Sequence, residues 1–244
     1  MSRYILADIK RVFKRVPYWI IVGIAIVMFG TLDTSGEATT VVDIVDMTKN
    51  VFHYACVPCG FLAIIYVIGE DLHAKTAQIA IGIGIAREKV VITKWLECVI
   101  ITAVNESLLL IFTFVCSLFC NSPFSVSDWG EVILVMLVSI VGTGVYMALV
   151  FPIITGSRTT ALAMLVYIFL STGLINKGLK YLEFFPAVQK LRIIGKTPTN
   201  LLEVCRSRMI LGSFAFGQWV GVVLFIAAFL GLSIIIFRKQ ELEF

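Results

Sequence analysis

Six separated stretches of the chain are long, apolar and nearly free of charge, and they take up most of its 244 residues. A helix that crosses the hydrocarbon layer of a membrane needs about 20 apolar residues, with about 17 as a lower limit. The runs cover approximately Val16–Leu32, Val51–Gly69, Trp95–Cys120, Val132–Thr155, Thr159–Asn176 and Ser213–Phe237. Because lipid offers no partner for an unpaired backbone amide, such runs are expected to be helices. The pattern predicts an all-α membrane protein with six transmembrane helices.

The composition leaves no room for a soluble catalytic domain. Hydrophobic residues make up 59% of the chain and charged residues 15%, whereas soluble domains carry about 25% charged residues. The longest stretch between predicted spans, 177–212, is shorter than the roughly 50 residues that an independent domain usually needs. Residues 1–244 are therefore predicted to form a single transmembrane domain. The net charge of +4 is spread over the loops, so no nucleic-acid partner is expected.

The N-terminal segment is basic and amphipathic, and it sets the predicted orientation. Ile5, Ile9, Val12 and Phe13 recur at helical spacing, with the basic side chains largely elsewhere. This pattern predicts an N-terminal elbow helix in the lipid headgroup layer, either as a membrane anchor or as a docking surface for a partner. Basic residues before the first span favour a cytoplasmic N-terminus. With six spans, the C-terminus is then cytoplasmic as well.

The segment between the second and third predicted spans carries the strongest functional signal. An acidic pair ends the span, a short helical stretch with apolar positions follows, a glycine breaks it, and basic residues lead into the next span. A helix held across the membrane surface between two spans can transmit force from a cytoplasmic partner. The residues singled out are Glu70, Lys75, Thr76, Gln78, Gly84, Ile85, Arg87 and Lys94.

This segment resembles the membrane subunits of type-2 ABC exporters, particularly those of Gram-positive bacteria that act in bacteriocin or lantibiotic immunity. In that family an acidic residue ends the second span and a Lys-Thr or Gly-Thr pair opens the coupling helix. A Gly-Ile-x-Arg or Pro-Ile-x-Arg turn closes that helix, and a lysine seven residues later starts the third span, as Glu70, Lys75-Thr76, Gly84-Ile85-Ala86-Arg87 and Lys94 do here. The resemblance covers essentially the whole chain, including Phe184-Phe185-Pro186 in the loop before the last span.

The resemblance implies a permease with a cytoplasmic coupling helix, Gln78–Ile85, framed by Glu70, Arg87 and Lys94 and seated in a cleft of a separate ATPase. It implies a second permease subunit, either the same chain or a homologue, and two cytoplasmic ABC ATPase subunits that bind ATP and Mg. The expected location is the bacterial plasma membrane, with the chain crossing it several times. The expected activity is ATP-driven export of a hydrophobic or amphipathic substrate, for example an antimicrobial peptide or a toxin.

The chain is not expected to be an enzyme. A phosphate-binding P-loop needs the pattern G-x-x-x-x-G-K-[ST], whose backbone amides cradle phosphate. Gly195-Lys196-Thr197 supplies the end of that pattern, but Lys190 stands where its first glycine belongs. Cys56 and Cys59 have redox spacing but lie in a predicted span, where they are interpreted as apolar filler. No catalytic residue, metal ligand or cofactor is therefore predicted in this chain.

Asn105 and Glu106 lie about 10 residues into the third predicted span, near the bilayer midplane at a rise of about 1.5 Å per residue. An ionisable residue at that depth is costly and is a candidate for function. The pair is predicted to line a substrate path, or alternatively to be hydrogen-bonded to a neighbouring helix. Three other interpretations remain open: a proton-coupled secondary transporter that uses Glu106, an intramembrane enzyme that uses Glu106 with His53, and a non-transporting anchor or sensor subunit.

Overall fold

The described part of the chain is helical, in agreement with the predicted all-α class. The computed structural model describes residues 2–34, 41–69, 71, 76–119, 124–157, 159–182, 197–211, 213 and 215–239, and these contain no β-strand. The helices are α1 (Ser2–Phe13), α2 (Val16–Thr34), α3 (Val41–Ala63), α4 (Thr76–Gly82), α5 (Arg87–Phe119), α6 (Val126–Ser157), α7 (Thr160–Ser171), α8 (Leu174–Leu182), α9 (Pro198–Ile210) and α10 (Phe216–Lys239). A π-helical turn, Ile64–Gly69, continues α3.

Among the described residues, four helical stretches are long and apolar enough to cross a membrane, as in a multi-pass membrane protein. They are Val45–Gly69, Arg87–Leu118, Val126–Ser157 and Phe216–Lys239. The first and fifth predicted spans correspond to shorter apolar stretches, Val16–Met28 and Thr160–Ser171. The count of six spans therefore remains a prediction.

The helices do not begin and end where the apolar runs do. Helix α3 begins at Val41 rather than at Val51, and α5 begins at Arg87 rather than at Trp95. The physical reason is that hydropathy marks the hydrocarbon layer, whereas a helix can continue into the polar layers beyond it. The fifth run ends early instead, because Gly173 adopts φ +71° and breaks the helix after Ser171.

Helix α6 lies at the centre of the bundle and packs against α3, α5, α7, α9 and α10. The approach of α5 is close at Gly144, where an added Cβ would lie 3.4 Å from Val99. The Trp95 indole N–H donates to the Gly144 carbonyl oxygen at 2.8 Å. This contact holds α5 and α6 together. Polar residues described below lie on the same two helices.

Helices α3 and α7 meet at a glycine. The Tyr167 hydroxyl donates to the Cys56 carbonyl oxygen at 2.5 Å, and a Cβ at Gly60 would lie only 1.9 Å from that hydroxyl oxygen. Cys56 and Cys59 are buried free thiols, in keeping with their interpretation as apolar filler. Helix α3 then changes to the π-helical turn, a rare conformation that occurs often near functional sites.

Candidate functional site

Helix α4 lies between the second and third spans, within the predicted coupling segment. It ends in a Schellman motif, in which the Ile85 amide donates to the Ala80 carbonyl oxygen at 3.0 Å and the Gly84 amide donates to that of Ile81 at 2.9 Å. Gly84 adopts φ +92°, a conformation that residues with a side chain rarely adopt. The Gly-Ile pair selected from the sequence therefore terminates the helix.

The outer face of α4 is apolar. Ile79 in the helix and Ile83 just after it are 61% and 76% exposed. At a spacing of four residues they lie on the same side of the helix. Ala80 is buried, and α4 packs against α5. Helix α4 is thus attached to the bundle on one side and presents two isoleucines on the other.

Arg87 connects the turn after α4 to the last helix. One of its guanidinium nitrogens donates to the Arg238 carbonyl oxygen at 2.8 Å and to that of Phe237 at 3.3 Å. Carbonyl oxygens at a helix C-terminus lack partners within the helix and carry a partial negative charge, so a guanidinium is well suited to them. Glu88 also forms an ion pair with Arg238. The start of α5 is therefore joined to the end of α10.

A largely buried group of charges lies about two turns further along α5, and Lys94 is at its centre. The Lys94 ammonium nitrogen lies 2.5 Å from Asp8 Oδ2, 2.6 Å from Asp71 Oδ2 and 2.9 Å from Glu97 Oε2. A guanidinium nitrogen of Arg11 lies 3.0 Å from Asp71 Oδ1. We call Asp8, Arg11, Asp71, Lys94 and Glu97 the charge cluster. It joins α1, the end of the second span and the start of α5.

The Tyr4 ring lies beside the cation of the charge cluster. The Tyr4 ring centroid lies 5.1 Å from the Lys94 nitrogen, within the range of a cation–π contact. Burial raises the pKa of the Tyr4 hydroxyl, with Lys94 acting in the opposite direction, so this ring stays neutral at physiological pH. Removing one partner from a buried ion pair costs about 3–5 kcal/mol. The cluster therefore acts as a firm link between three parts of the chain.

The sequence pattern included Lys94 and, in the acidic pair that ends the second span, Asp71, but it did not indicate Asp8 and Glu97 as partners of Lys94. Two signals were present: Asp8 lies on the apolar side of α1, and Glu97 follows Lys94 by three residues, a helical spacing that permits an ion pair. Arg11, which the sequence places with the outward basic residues, is half-buried against Asp71.

The structure describes some of the remaining predicted coupling residues and not others. Glu70 and Lys75 lie outside the described residues, and of Thr76 only the helical backbone is described. Gln78 is half-buried on α4, and Gly84, Ile85, Arg87 and Lys94 take the positions given above.

Asn105 and Glu106 lie deeper in the bundle, on α5, and contact two different helices. The Asn105 Oδ1 atom accepts a hydrogen bond from the Tyr18 hydroxyl of α2 at 2.5 Å. The Glu106 side chain is fully buried, and its Oε1 atom accepts a hydrogen bond from the Ser139 hydroxyl of α6 at 2.9 Å. Both residues therefore bind neighbouring helices, and their place on a substrate path stays a prediction.

Comparison with protein-family models and with curated proteins gives no match to this chain.

Proposed function

We propose that the chain is the permease subunit of a type-2 ABC exporter and that α4 is its coupling helix. The observation that carries the proposal is the placement of α4. It is a short surface helix between two spans, packed against α5 on one side, with Ile79 and Ile83 exposed on the other. A cytoplasmic ATPase with an apolar cleft is a suitable partner for this face, because two buried isoleucines supply about 1.5–3 kcal/mol each.

The contacts around α4 supply a route for force. Closure of the ATPase pair on ATP pushes α4, and Arg87 passes the movement to α10 through its carbonyl contacts. Lys94 passes it to Asp71 and Asp8, and so to the second span and α1. Nucleotide binding then shifts the population between two arrangements of the spans, since the ATPase binds α4 differently in each.

The complete transporter in this proposal has two permease subunits and two ATPase subunits in a bacterial plasma membrane. Helices α2 and α7 are the first and fifth of six spans, both termini are cytoplasmic, and α1 is the elbow helix. The ATPase subunits bind ATP and Mg, and this chain binds neither. The substrate is hydrophobic or amphipathic, with an antimicrobial peptide or toxin as the favoured class, since the exit path between permeases borders lipid.

The test is affinity purification of the tagged chain in mild detergent, with identification of copurifying proteins and an assay of ATP hydrolysis. We expect a stoichiometric P-loop ATPase with the parent chain and its loss from the double variant Ile79→Glu, Ile83→Glu. Val126→Glu is the matched control, because Val126 is 91% exposed at the start of α6, away from α4. Absence of an ATPase from the parent preparation, or equal recovery with the double variant, would refute the proposal.

A further inference from the structure

A cavity of about 40 Å³, lined by both polar and apolar residues, lies between α3, α6, α7 and α9. Its polar lining residues are His53, Ser139, Ser171, Thr199 and Glu203. A buried water molecule needs about 10–15 Å³ and two to four polar partners, so the cavity is suited to water by both size and chemistry. Glu203 is exposed, which places one side of the cavity at the protein surface.

Ser139 connects this cavity to Glu106. It lines the cavity, and its hydroxyl donates to Glu106 Oε1 at 2.9 Å. The second oxygen, Oε2, is buried and has no hydrogen-bonding partner among the described residues. Glu106 lies about 13 residues before the end of α5, and Ser139 lies about 13 residues after the start of α6. Each is therefore about 20 Å from the helix end that the short 120–125 connection joins. A fully buried carboxyl group thus lies one serine away from a site for water.

Among the described residues, no positively charged side chain pairs with Glu106. The titratable groups that interact with it are the thiols of Cys56 and Cys59 on α3, and His53, Tyr146 and Glu203 line the neighbouring cavity. An unpaired carboxylate in an apolar interior is costly, whereas the neutral acid is far less so.

We propose that Glu106 is a proton-binding site that exchanges its proton with water in this cavity through Ser139. A hydronium ion in the cavity gives a proton to Ser139 Oγ while the original hydroxyl proton moves to Glu106 Oε1. A new O–H bond forms on the carboxylate, the serine keeps one proton, and the hydronium becomes water. Release follows the reverse path. The site involves neither α4 nor a partner, so it stands or falls separately from the ATPase proposal.

The test is infrared difference spectroscopy of the full chain in lipid vesicles, during exchange from H₂O to D₂O. We expect a carbonyl stretching band of a protonated carboxyl group that is absent from Glu106→Gln and shifts in D₂O. Absence of such a band over the pH range in which the protein stays folded, or a band that does not shift, would overturn the site.

Two variants test the route. Ser139→Ala removes the relay hydroxyl. Gly142→Val fills the cavity, which Gly142 lines and where an added Cβ has only ordinary contacts, the nearest at 3.8 Å from Leu202. We expect about tenfold slower exchange in each, because the path loses one hydrogen bond or its water.

Gly142→Ala replaces the valine variant if that protein does not fold. Gly130→Ala, in open space on the same helix, is the control with unchanged exchange. Unchanged exchange in Ser139→Ala, or in the variant that fills the cavity, would overturn the route through the cavity.

Discussion

Replacing Lys94 by methionine removes the cation that three carboxylates share while keeping most of the side-chain volume. The Lys94 nitrogen lies 2.5, 2.6 and 2.9 Å from oxygens of Asp8, Asp71 and Glu97. Breaking a buried ion pair by removing one partner costs about 3–5 kcal/mol. Arg11 stays 3.0 Å from Asp71 and 3.6 Å from Asp8, so those two carboxylates keep a cation nearby. We therefore expect a loss of about 3 kcal/mol, near the lower end of that range.

The assay is thermal unfolding in detergent. Unfolding is monitored by the reaction of the buried thiols with a fluorescent maleimide. For a chain of this size, 1 kcal/mol corresponds to about 2–4 °C, so the midpoint should fall by about 6–12 °C. Lys89→Met is the matched control, because Lys89 is exposed on the same helix and undergoes the same substitution. Adding Glu97→Gln to Lys94→Met should restore part of the loss, because the uncompensated carboxylate becomes a neutral amide.

Two results would refute this reasoning. One is an unfolding midpoint for Lys94→Met equal to that of Lys89→Met. The other is a double variant no more stable than Lys94→Met, because the two positions would then show no energetic coupling. Either would mean that the cluster does not hold α1 to the spans.

Two glycine substitutions make further predictions. Gly60→Ala should lower stability by about 1–3 kcal/mol through overpacking, because the added Cβ would lie 1.9 Å from the Tyr167 hydroxyl oxygen. Thermal unfolding measures this loss. Gly23→Ala, whose added Cβ meets no atom within 4 Å, should show no such loss. Gly84→Ala should cost about 1–2 kcal/mol because of the positive φ, and hydrogen exchange should become faster across residues 76–86. Gly82→Ala, in open space at the end of the same helix, should not speed that exchange, and equal exchange in the two variants would contradict the Schellman assignment.

The sequence was a good guide where the cause is local. Runs of apolar residues predict helices because lipid leaves the backbone no other partner, and the all-α class follows. The helix break at Gly84 is local as well, because the Schellman motif needs only the glycine, the four residues before it and the one residue after it. The role of α4 in coupling remains a prediction, since its partner is a different chain.

The sequence was a poor guide where the cause is tertiary. Asp8, Asp71 and Lys94 are far apart along the chain, and only the packing of α1 beside α5 brings them together. The same packing turns Arg11 inward, although its spacing in the amphipathic pattern places it with the basic face. Hydropathy also predicts a depth for Glu106 in the bilayer but not its partner Ser139, because two apolar helices have no pairing signal in sequence.

The π-helical turn Ile64–Gly69 gives the second span two possible registers. A π-helical turn holds one residue more than an α-helical turn, so its conversion to α-helix would rotate every later residue by about 100° around the helix axis. Asp71, two residues after the turn, would then swing away from Lys94, and the link between the second span and α1 would open. Inserting one alanine directly after the turn should reproduce this rotation, with α1 amides exchanging faster in hydrogen-exchange measurements. Deleting one residue of the turn is the control, because the loss of the extra residue converts the turn to α-helix and keeps Asp71 in place. Unchanged protection of α1 in the insertion variant would show that the rotation of Asp71 does not open the link.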